Sequence, residues 1–214
     1  MTAVGNNKPK RETYRHGDLR NALVEAGLEL ARQGGPTAVV LRAATRQAGV
    51  APNAAYRHFT DRNALLHAVS QAAMAHLART MEAEQTTLPP TTDAAAAARA
   101  RFRAVGTGYL RFAQEEPGLF RTAFHVPGDM THAAADTAAG TTGKTPFELL
   151  GTALDGLVEA GLLPEDRRPG AEFLAWSAVH GLACLLIDGP LRGLHPTRVH
   201  DAGQHVIDMI ERGI

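Results

Sequence analysis

Apolar residues recur along the chain at the three- and four-residue spacing of amphipathic α-helices. No segment of useful length alternates with the period of two that a β-strand requires, and the helix-favouring residues Ala, Leu, Arg and Glu are plentiful. The pattern therefore predicts an all-α protein. The predicted helices span residues 17–33, 41–48, 52–59, 62–84, 93–114, 117–124, 146–161, 170–187 and 196–211.

Glycine, proline and capping residues predict where these helices begin and end. Gly34-Gly35 is expected to end the first helix, and the paired prolines Pro89-Pro90 break the long helix that starts at Arg62. Thr60 is the expected cap of that long helix, with Asp61 favourable at its positive end. These signals separate a short N-terminal region from a larger helical body.

Two later segments have distinctive compositions. Residues 126–145 are rich in Gly, Thr and Ala without an apolar period, which predicts a mobile loop, either beside a ligand entrance or slack. Residues 173–187 are almost continuously apolar, so that helix is expected to be buried on most sides. The last helix carries a single apolar stripe. The last two helices form a hairpin that can either fill its own core or pair with a second copy of the chain. The stripe comprises Val199, Ala202, Val206 and Ile210.

Residues 41–59 have the layout of a helix-turn-helix. Gly49 can adopt the positive φ that the turn requires, Val50 can enter a three-helix core, and Pro52 presets the start of the second helix. Phe59 can close that core. The second helix carries few large apolar residues and is therefore thin enough for a major groove.

Side chains near the start of the second helix are the candidate DNA readers. Asn53 can bond adenine through two hydrogen bonds, and Ala54 or Ala55 can touch a thymine methyl. Tyr56 and His58 are better suited to phosphate oxygens, which fix register without reading sequence. The predicted DNA-contacting set is Arg42, Pro52, Asn53, Ala54, Ala55, Tyr56, His58 and Arg62.

Charge is distributed unevenly although the chain as a whole is neutral. Ten basic and five acidic residues lie in positions 1–65, and 12 basic and 17 acidic residues follow. A basic head on an acidic body is expected if only the head meets phosphate, with Arg42 and Arg62 as helical phosphate contacts. Residues 1–14 form a basic arm, expected to be disordered without DNA, that either binds DNA or is a solvated tail.

The N-terminal motifs resemble the DNA-binding domain of the tetracycline-repressor (TetR) family. The resemblance lies in the segments Ala48-Gly49-Val50, Tyr56-Arg57-His58-Phe59 and Asp61-Arg62-Asn63-Ala64-Leu65. The sequence departs from the family pattern at Val40 and Ala51, where Ser or Thr commonly caps a helix. Each missing cap typically costs ~1 kcal/mol, which Pro52 partly offsets.

Downstream motifs extend the resemblance over nearly the whole chain. They are Trp176-Ser177-Ala178-Val179-His180-Gly181, similar to the Trp-x-x-x-His-Gly signature of one TetR subgroup, Tyr109-Leu110-Arg111-Phe112-Ala113 and Pro117-Gly118-Leu119-Phe120. The resemblance implies a helix-turn-helix domain at residues 15–65 and a ligand-binding and dimerisation domain at 66–214. It also implies a homodimer joined by a four-helix bundle of the last two helices.

Aromatic residues of the body can form an apolar effector pocket. Trp176 and His180 share one helical face, with Gly181 allowing close approach of another backbone. His180 can hydrogen-bond a ligand or be a satisfied core or interface histidine, and both readings remain open. The candidate ligand-binding set is Phe102, Tyr109, Phe112, Phe120, Phe124, Trp176 and His180.

Catalytic and cofactor signals are absent from the sequence. It has only two serines and no nucleophile elbow, phosphate loop or metal-ligand pair at helical spacing, so no cofactor is expected. The single cysteine, Cys184, is expected to be a small buried hydrophobe. Without a secretory signal or an apolar run of ~18 residues, a cytoplasmic protein is expected.

These features favour a ligand-responsive regulator, a repressor, that binds palindromic double-stranded operator DNA and is released by a small apolar effector. A helical enzyme acting on a small molecule and a dimeric binding protein without a DNA role are the alternatives.

Overall fold

The computed structural model describes residues 16–125 and 135–214, with side chains from Leu19 onward. Helix is the regular structure of these two ranges, so the predicted all-α class is confirmed. The predicted basic arm, residues 1–14, and residues 126–134 of the predicted loop lie outside the described residues. The helices are α1 (His16–Ala38), α2 (Leu41–Gln47), α3 (Pro52–Ala55), α4 (Arg62–Thr86), α5 (Ala94–Glu115), α6 (Pro117–Ala123), α7 (Pro146–Glu159), α8 (Ala171–Ile187) and α9 (Pro196–Gly213), with 3-10 turns at Asp136–Ala138 and Glu165–Arg167.

The first helix breaks at the two glycines, as the sequence predicts. Gly34 and Gly35 leave the helical region, and Gly35 adopts a φ of 65° before a last turn that ends at Ala38. Leu23 and Leu28 on the inner face are fully buried. The break lets the chain leave α1 and turn directly into α2.

The turn between α2 and α3 follows the predicted geometry. Gly49 has a φ of 69°, Val50 packs partly buried against the core, and Phe59 is buried. No side chain caps α2 at Val40 or α3 at Ala51, as expected from their missing hydroxyls. The second helix is shorter than predicted, because the residues after Ala55 continue as a turn.

The long helix α4 joins the head to the body. Asp61, and not the predicted Thr60, caps it, because the Asp61 carboxylate accepts a hydrogen bond from the Ala64 amide at 2.8 Å. Along its length α4 packs against α1, α5, α6 and α7. Over the part of the chain that the structure describes, no helix is both long and apolar enough to cross a bilayer.

Helix α8 differs from the expectation of burial on most sides. It contacts α5, α7 and α9 along one side only. On the other side Phe173 and Leu174 are 53% and 63% exposed, and Leu185 is also exposed. Cys184 lies on this exposed side, so its predicted burial is wrong for the single chain. A Cβ placed on Gly181 would meet open space, so no other backbone from residues 16–125 and 135–214 packs closely there.

Candidate DNA-recognition surface and effector cavity

The turn and the start of α3 present a polar surface to solvent. Pro52 and Asn53 are exposed, Ala54 is half-buried, and Tyr56 is 55% exposed although it is a large aromatic residue. Arg42 projects from α2 and is exposed. These five predicted contact residues are therefore available to a ligand outside the chain.

Two other predicted contact residues face inward. Ala55 is 0% exposed and belongs to the core of the head, so its methyl group cannot reach a thymine in this conformation. His58 is half-buried and its Nε2 atom is enclosed, which keeps that atom from a phosphate. Ala55 therefore faces the core of the head at the end of α3, and His58 turns partly inward in the turn that follows α3.

Arg62 has an internal role that the sequence did not reveal. Its Nε donates to the Val39 carbonyl oxygen at 3.0 Å and its Nη2 to the Pro36 carbonyl oxygen at 2.7 Å. The last carbonyl groups of a helix lack donors within it, and the guanidinium supplies donors at the end of α1, where the Pro36 oxygen also accepts from the Val39 amide at 3.3 Å. Arg62 thus ties the start of α4 to the end of α1 and to Val39, and these contacts occupy its Nε and Nη2 donors.

The body contains an apolar cavity of about 50 Å³. Four predicted ligand residues line it, namely Phe102, Tyr109, Phe124 and Trp176. Phe147, an aromatic residue that the sequence also offers for an apolar pocket, lines it from α7. The sequence prediction did not include the two methionines of α4, the proline that opens α7, or the aliphatic residues of α8 and α9. These residues include Met74, Met81, Pro146, Val179, Ile207 and Ile210.

Three predicted ligand residues lie outside the cavity lining. Phe112 is buried in the core. Phe120 and His180 form a second layer, because their rings stack at 5.4 Å between centroids and the His180 ring meets Phe124 edge-on at 4.7 Å. They support the lining residues Phe124 and Tyr109 from behind.

A chain of hydrogen bonds leads from the cavity wall to the exposed side of α8. The indole Nε1 of Trp176 donates to the Tyr109 hydroxyl at 3.1 Å, and that hydroxyl lies 2.7 Å from Nδ1 of His180. Nε2 of His180 lies 3.5 Å from the sulfur of Cys184.

Protonation states follow from burial. Desolvation raises the pKa of Tyr109 and lowers the pKa of His180, so both side chains are neutral near pH 7. The Tyr109 hydroxyl, which accepts from Trp176, is then free to donate to Nδ1, which assigns the His180 proton to Nε2. The polar atoms nearest the cavity are thus already paired, and the remaining wall offers apolar contact.

Helix α6 connects the cavity to the head. Phe124, at its end, lines the cavity, while Gly118, at its start, lies directly on the carbonyl oxygens of Ala31 and Arg32 in α1. Nε of Arg32 also pairs with Glu116 at 3.1 Å. A side chain at position 118 would separate the two helices, so glycine is needed for this close approach.

The acidic, histidine and cysteine side chains of the described residues do not converge on a metal site. Within residues 16–125 and 135–214, no group of three or more His, Cys, Asp or Glu side chains could hold a metal ion. His195, His200 and His205 are exposed at the surface of the chain.

A helix-turn-helix head joined to a helical body with an apolar cavity defines the class of one-component transcriptional regulators. The sequence profile described as "Bacterial regulatory proteins, tetR family" matches residues 23–69, and the profile "Tetracyclin repressor-like, C-terminal domain" matches residues 102–210. The chain belongs to the TetR family. Members of this family are transcription regulators and not enzymes, and they bind DNA and small-molecule effectors as dimers. No curated protein matches the chain by sequence.

Solved structures share the fold along almost the full length. A protein of unknown function from Rhodococcus sp. RHA1 is 26% identical, with a TM-score of 0.71 over 95% of this chain and 99% of its own. SmeT, the repressor of the Stenotrophomonas maltophilia multidrug efflux pump SmeDEF, is 16% identical, with a TM-score of 0.58 over 89% and 87%. A TetR variant from Acinetobacter baumannii AYE in complex with minocycline is 18% identical, with a TM-score of 0.57 over 90% and 94%.

Proposed function

We propose that this TetR-family regulator is a ligand-responsive repressor that binds palindromic operator DNA as a homodimer and is released by a small, largely apolar effector. Residues 15–65 act as the DNA-binding domain and residues 66–214 as the effector-binding and dimerisation domain. Residues 1–14 supply additional phosphate contacts.

Asn53 is the proposed base reader, with Ala54 beside it against a thymine methyl and Pro52 fixing the approach of α3. Tyr56 and Arg42 hold the phosphate backbone on either side. We leave Ala55, His58 and Arg62 out of the contact set, because their functional atoms are buried or bonded within the chain.

The exposed side of α8 supports the proposed homodimer. Phe173, Leu174 and Leu185 lie on it, and Met209 of α9 is 58% exposed. Apolar residues clustered on one face favour burial against another chain, and a second copy offers the same surface under two-fold symmetry. Such a dimer would hold two α3 helices about one DNA turn apart, ~34 Å.

The cavity supports an uncharged, apolar effector. Its paired polar atoms leave a charged ligand without partners, which is unfavourable in an apolar site. About 50 Å³ is small beside the ~300–1,000 Å³ of typical ligand sites, so an effector has to displace side chains. Met74 and Met81 are flexible and suited to that adjustment. Minocycline bound to a structural neighbour is consistent with an organic effector.

The position of α6 is the observation that carries this proposal. One end of α6 borders the cavity and the other lies on the backbone of α1, so an effector that moves Phe124 also moves the head. Coupling of ~1–3 kcal/mol is enough for a 5- to 150-fold loss of operator affinity.

Fluorescence anisotropy with DNA from the region upstream of the protein's own gene tests the proposal. We expect salt-dependent binding that Asn53→Ala and Tyr56→Ala each weaken by about 1–3 kcal/mol, with the fold intact by circular dichroism. Arg192→Ala, an exposed cation beyond the end of α8, is the control and should bind normally. Salt-insensitive or absent binding would overturn the proposal, as would failure of every apolar compound tested to release the DNA.

A further inference from the structure

The side chain of Glu82, in the last third of α4, is a buried carboxylate whose partners among the described residues are amide and hydroxyl groups, with no cation. It is 7% exposed. One oxygen accepts from the Thr141 amide at 2.8 Å, and the other accepts from the Thr142 amide at 2.9 Å and the Thr142 hydroxyl at 2.6 Å. The carboxylate therefore binds the main chain of a segment 59 and 60 residues further along.

Hydrogen bonding, not an opposite charge, keeps this group ionised. Desolvation on its own would raise the pKa of the Glu82 carboxyl, but the hydrogen bonds from Thr142 and Thr141 together hold it below its usual value. A carboxylate is costly to bury, so the three donors must stay in place for the folded state to tolerate it.

The bound segment is shaped to fit the carboxylate. A Cβ on Gly140 would lie 2.5 Å from one Glu82 oxygen and 2.7 Å from its carboxyl carbon, so a side chain there would displace the carboxylate from its present position. The Gly140 amide donates to the Lys144 carbonyl oxygen at 2.9 Å, and Gly143 turns the chain with a φ of 75°. Residues 140–144 therefore close around Glu82 and do not form the slack chain that composition allowed.

This segment leads directly into the cavity wall. Thr145 and Glu148 form a capping box at the start of α7, and the next residues, Pro146 and Phe147, line the cavity. On the α4 side, Met81 lines the same cavity immediately before Glu82. The carboxylate thus joins two walls, fixing the entry of α7 at a set distance from α4.

We propose that Glu82 is a positioning residue for effector binding: by holding residues 141 and 142 it sets where Pro146 and Phe147 stand across the cavity from Met81. The inference rests on the proposed function, since it assigns a role within the same effector site. Glu82 acts through the α7 wall and does not itself contact the effector. Its loss should weaken effector binding and leave operator binding unchanged.

The test uses the full-length protein and the neutral apolar fluorophore N-phenyl-1-naphthylamine as probe. Probe affinity, operator affinity by anisotropy and the midpoint of thermal unfolding are measured on each variant. Glu82→Ala is expected to weaken probe binding at least tenfold while operator affinity changes less than twofold. Glu82→Gln keeps one acceptor oxygen, so its affinity for the probe is expected to lie between those of Glu82→Ala and the wild type.

Glu84→Gln is the matched control. It removes a charge two residues along the same helix, where Glu84 pairs with Arg111 at 2.6 Å and not with residues 140–144. This variant should lower the midpoint of thermal unfolding and leave the affinity for the probe unchanged. That result would separate a positioning role of Glu82 from a general loss of stability. If Glu82→Ala does not fold, Thr142→Val tests the inference in its place. This change removes only the hydroxyl that donates to Glu82 at 2.6 Å, and it should lower the affinity for the probe severalfold.

Folded Glu82 and Thr142 variants with wild-type probe affinity would overturn the inference and leave the proposed function standing. A wild-type protein that binds the operator but not the probe would count against the apolar effector cavity and the inference with it. Absence of operator binding would instead contradict the repressor proposal.

Discussion

The DNA-binding head and the helical body of this regulator form their surfaces from different lengths of sequence. The proposed DNA surface comes from one continuous stretch, residues 41–59, in which local turns decide what projects outward. The cavity draws its walls from five helices and the end of α6, over positions 74 to 210. A short stretch of sequence can therefore indicate DNA binding, whereas the cavity exists only after distant helices have packed.

The junction of the two regions, where Gly118 meets α1, should be the most sensitive point. Gly118→Ala places a methyl group against the carbonyl oxygens of Ala31 and Arg32, which are backbone atoms that cannot turn aside. We expect a loss of about 3 kcal/mol in the free energy of unfolding, the upper end for overpacking. Urea denaturation followed by circular dichroism measures it.

Gly156→Ala is the matched control, because its Cβ meets open space on α7. Replacing a helical glycine with alanine should stabilise it by about 0.5–1 kcal/mol. Equal effects at the two positions would contradict the proposed contact between head and body.

Within the head, Arg62 is expected to stabilise the fold and Arg42 is expected to contact DNA. Arg62→Met removes the donors to Val39 and Pro36 and should cost about 2 kcal/mol of folding stability, as hydrogen bonds from charged groups do. Arg42→Met, at an exposed position, should change stability by less than about 0.5 kcal/mol.

The salt dependence of operator affinity should show the reverse order. Arg42→Met is expected to lower the slope by about one per subunit, while Arg62→Met keeps the wild-type slope. A reduced salt slope for Arg62→Met would instead show that Arg62 contacts phosphate.

Tyr109→Phe tests the body without touching the head. Removing the hydroxyl leaves Trp176 Nε1 and His180 Nδ1 without their partner, which should lower the free energy of unfolding by about 1.5 kcal/mol. Operator affinity should remain at the wild-type value. Tyr56→Phe, which alters an exposed hydroxyl, should leave stability unchanged in the same denaturation experiment.

The smallest expected effect is a pH dependence of stability. Because burial lowers the pKa of His180, protons bind the unfolded chain first as the pH falls below about 6.5, and stability decreases there. His180→Asn, which keeps an acceptor for Tyr109, should reduce this slope in urea midpoints measured from pH 8 to 5. His76, whose pKa is also lowered by burial, should account for part of the slope that remains.

The elements that sequence predicted well depend on near neighbours. Gly49, Pro52 and Phe59 act within a few residues of one another, so their spacing was enough to predict the turn and the small core. The cap of α4 was predicted one residue too early, at Thr60 and not at Asp61. The choice between two adjacent capping residues depends on backbone angles that composition does not specify.

Roles that depend on distant partners were not predictable from periodicity. Arg62 finds its acceptors 23 and 26 residues earlier, and Glu82 finds its donors 59 and 60 residues later. Phe102 and Phe112 share α5, yet only Phe102 lines the cavity, because the neighbouring helices decide which face meets empty space. A phenylalanine on a helix therefore does not by itself distinguish a core position from one that lines the cavity.

The wall formed by α8 has consequences for redesigning effector specificity. Ala175, Trp176 and Val179 line the cavity from α8, and the other side of the same helix carries the exposed Phe173, Leu174 and Leu185. A substitution there that reshapes the cavity also displaces the outer surface. Changes in α4, α5 and α7 avoid this penalty, so a directed-evolution library for a new biosensor should sample Met74, Phe102 and Leu150 first.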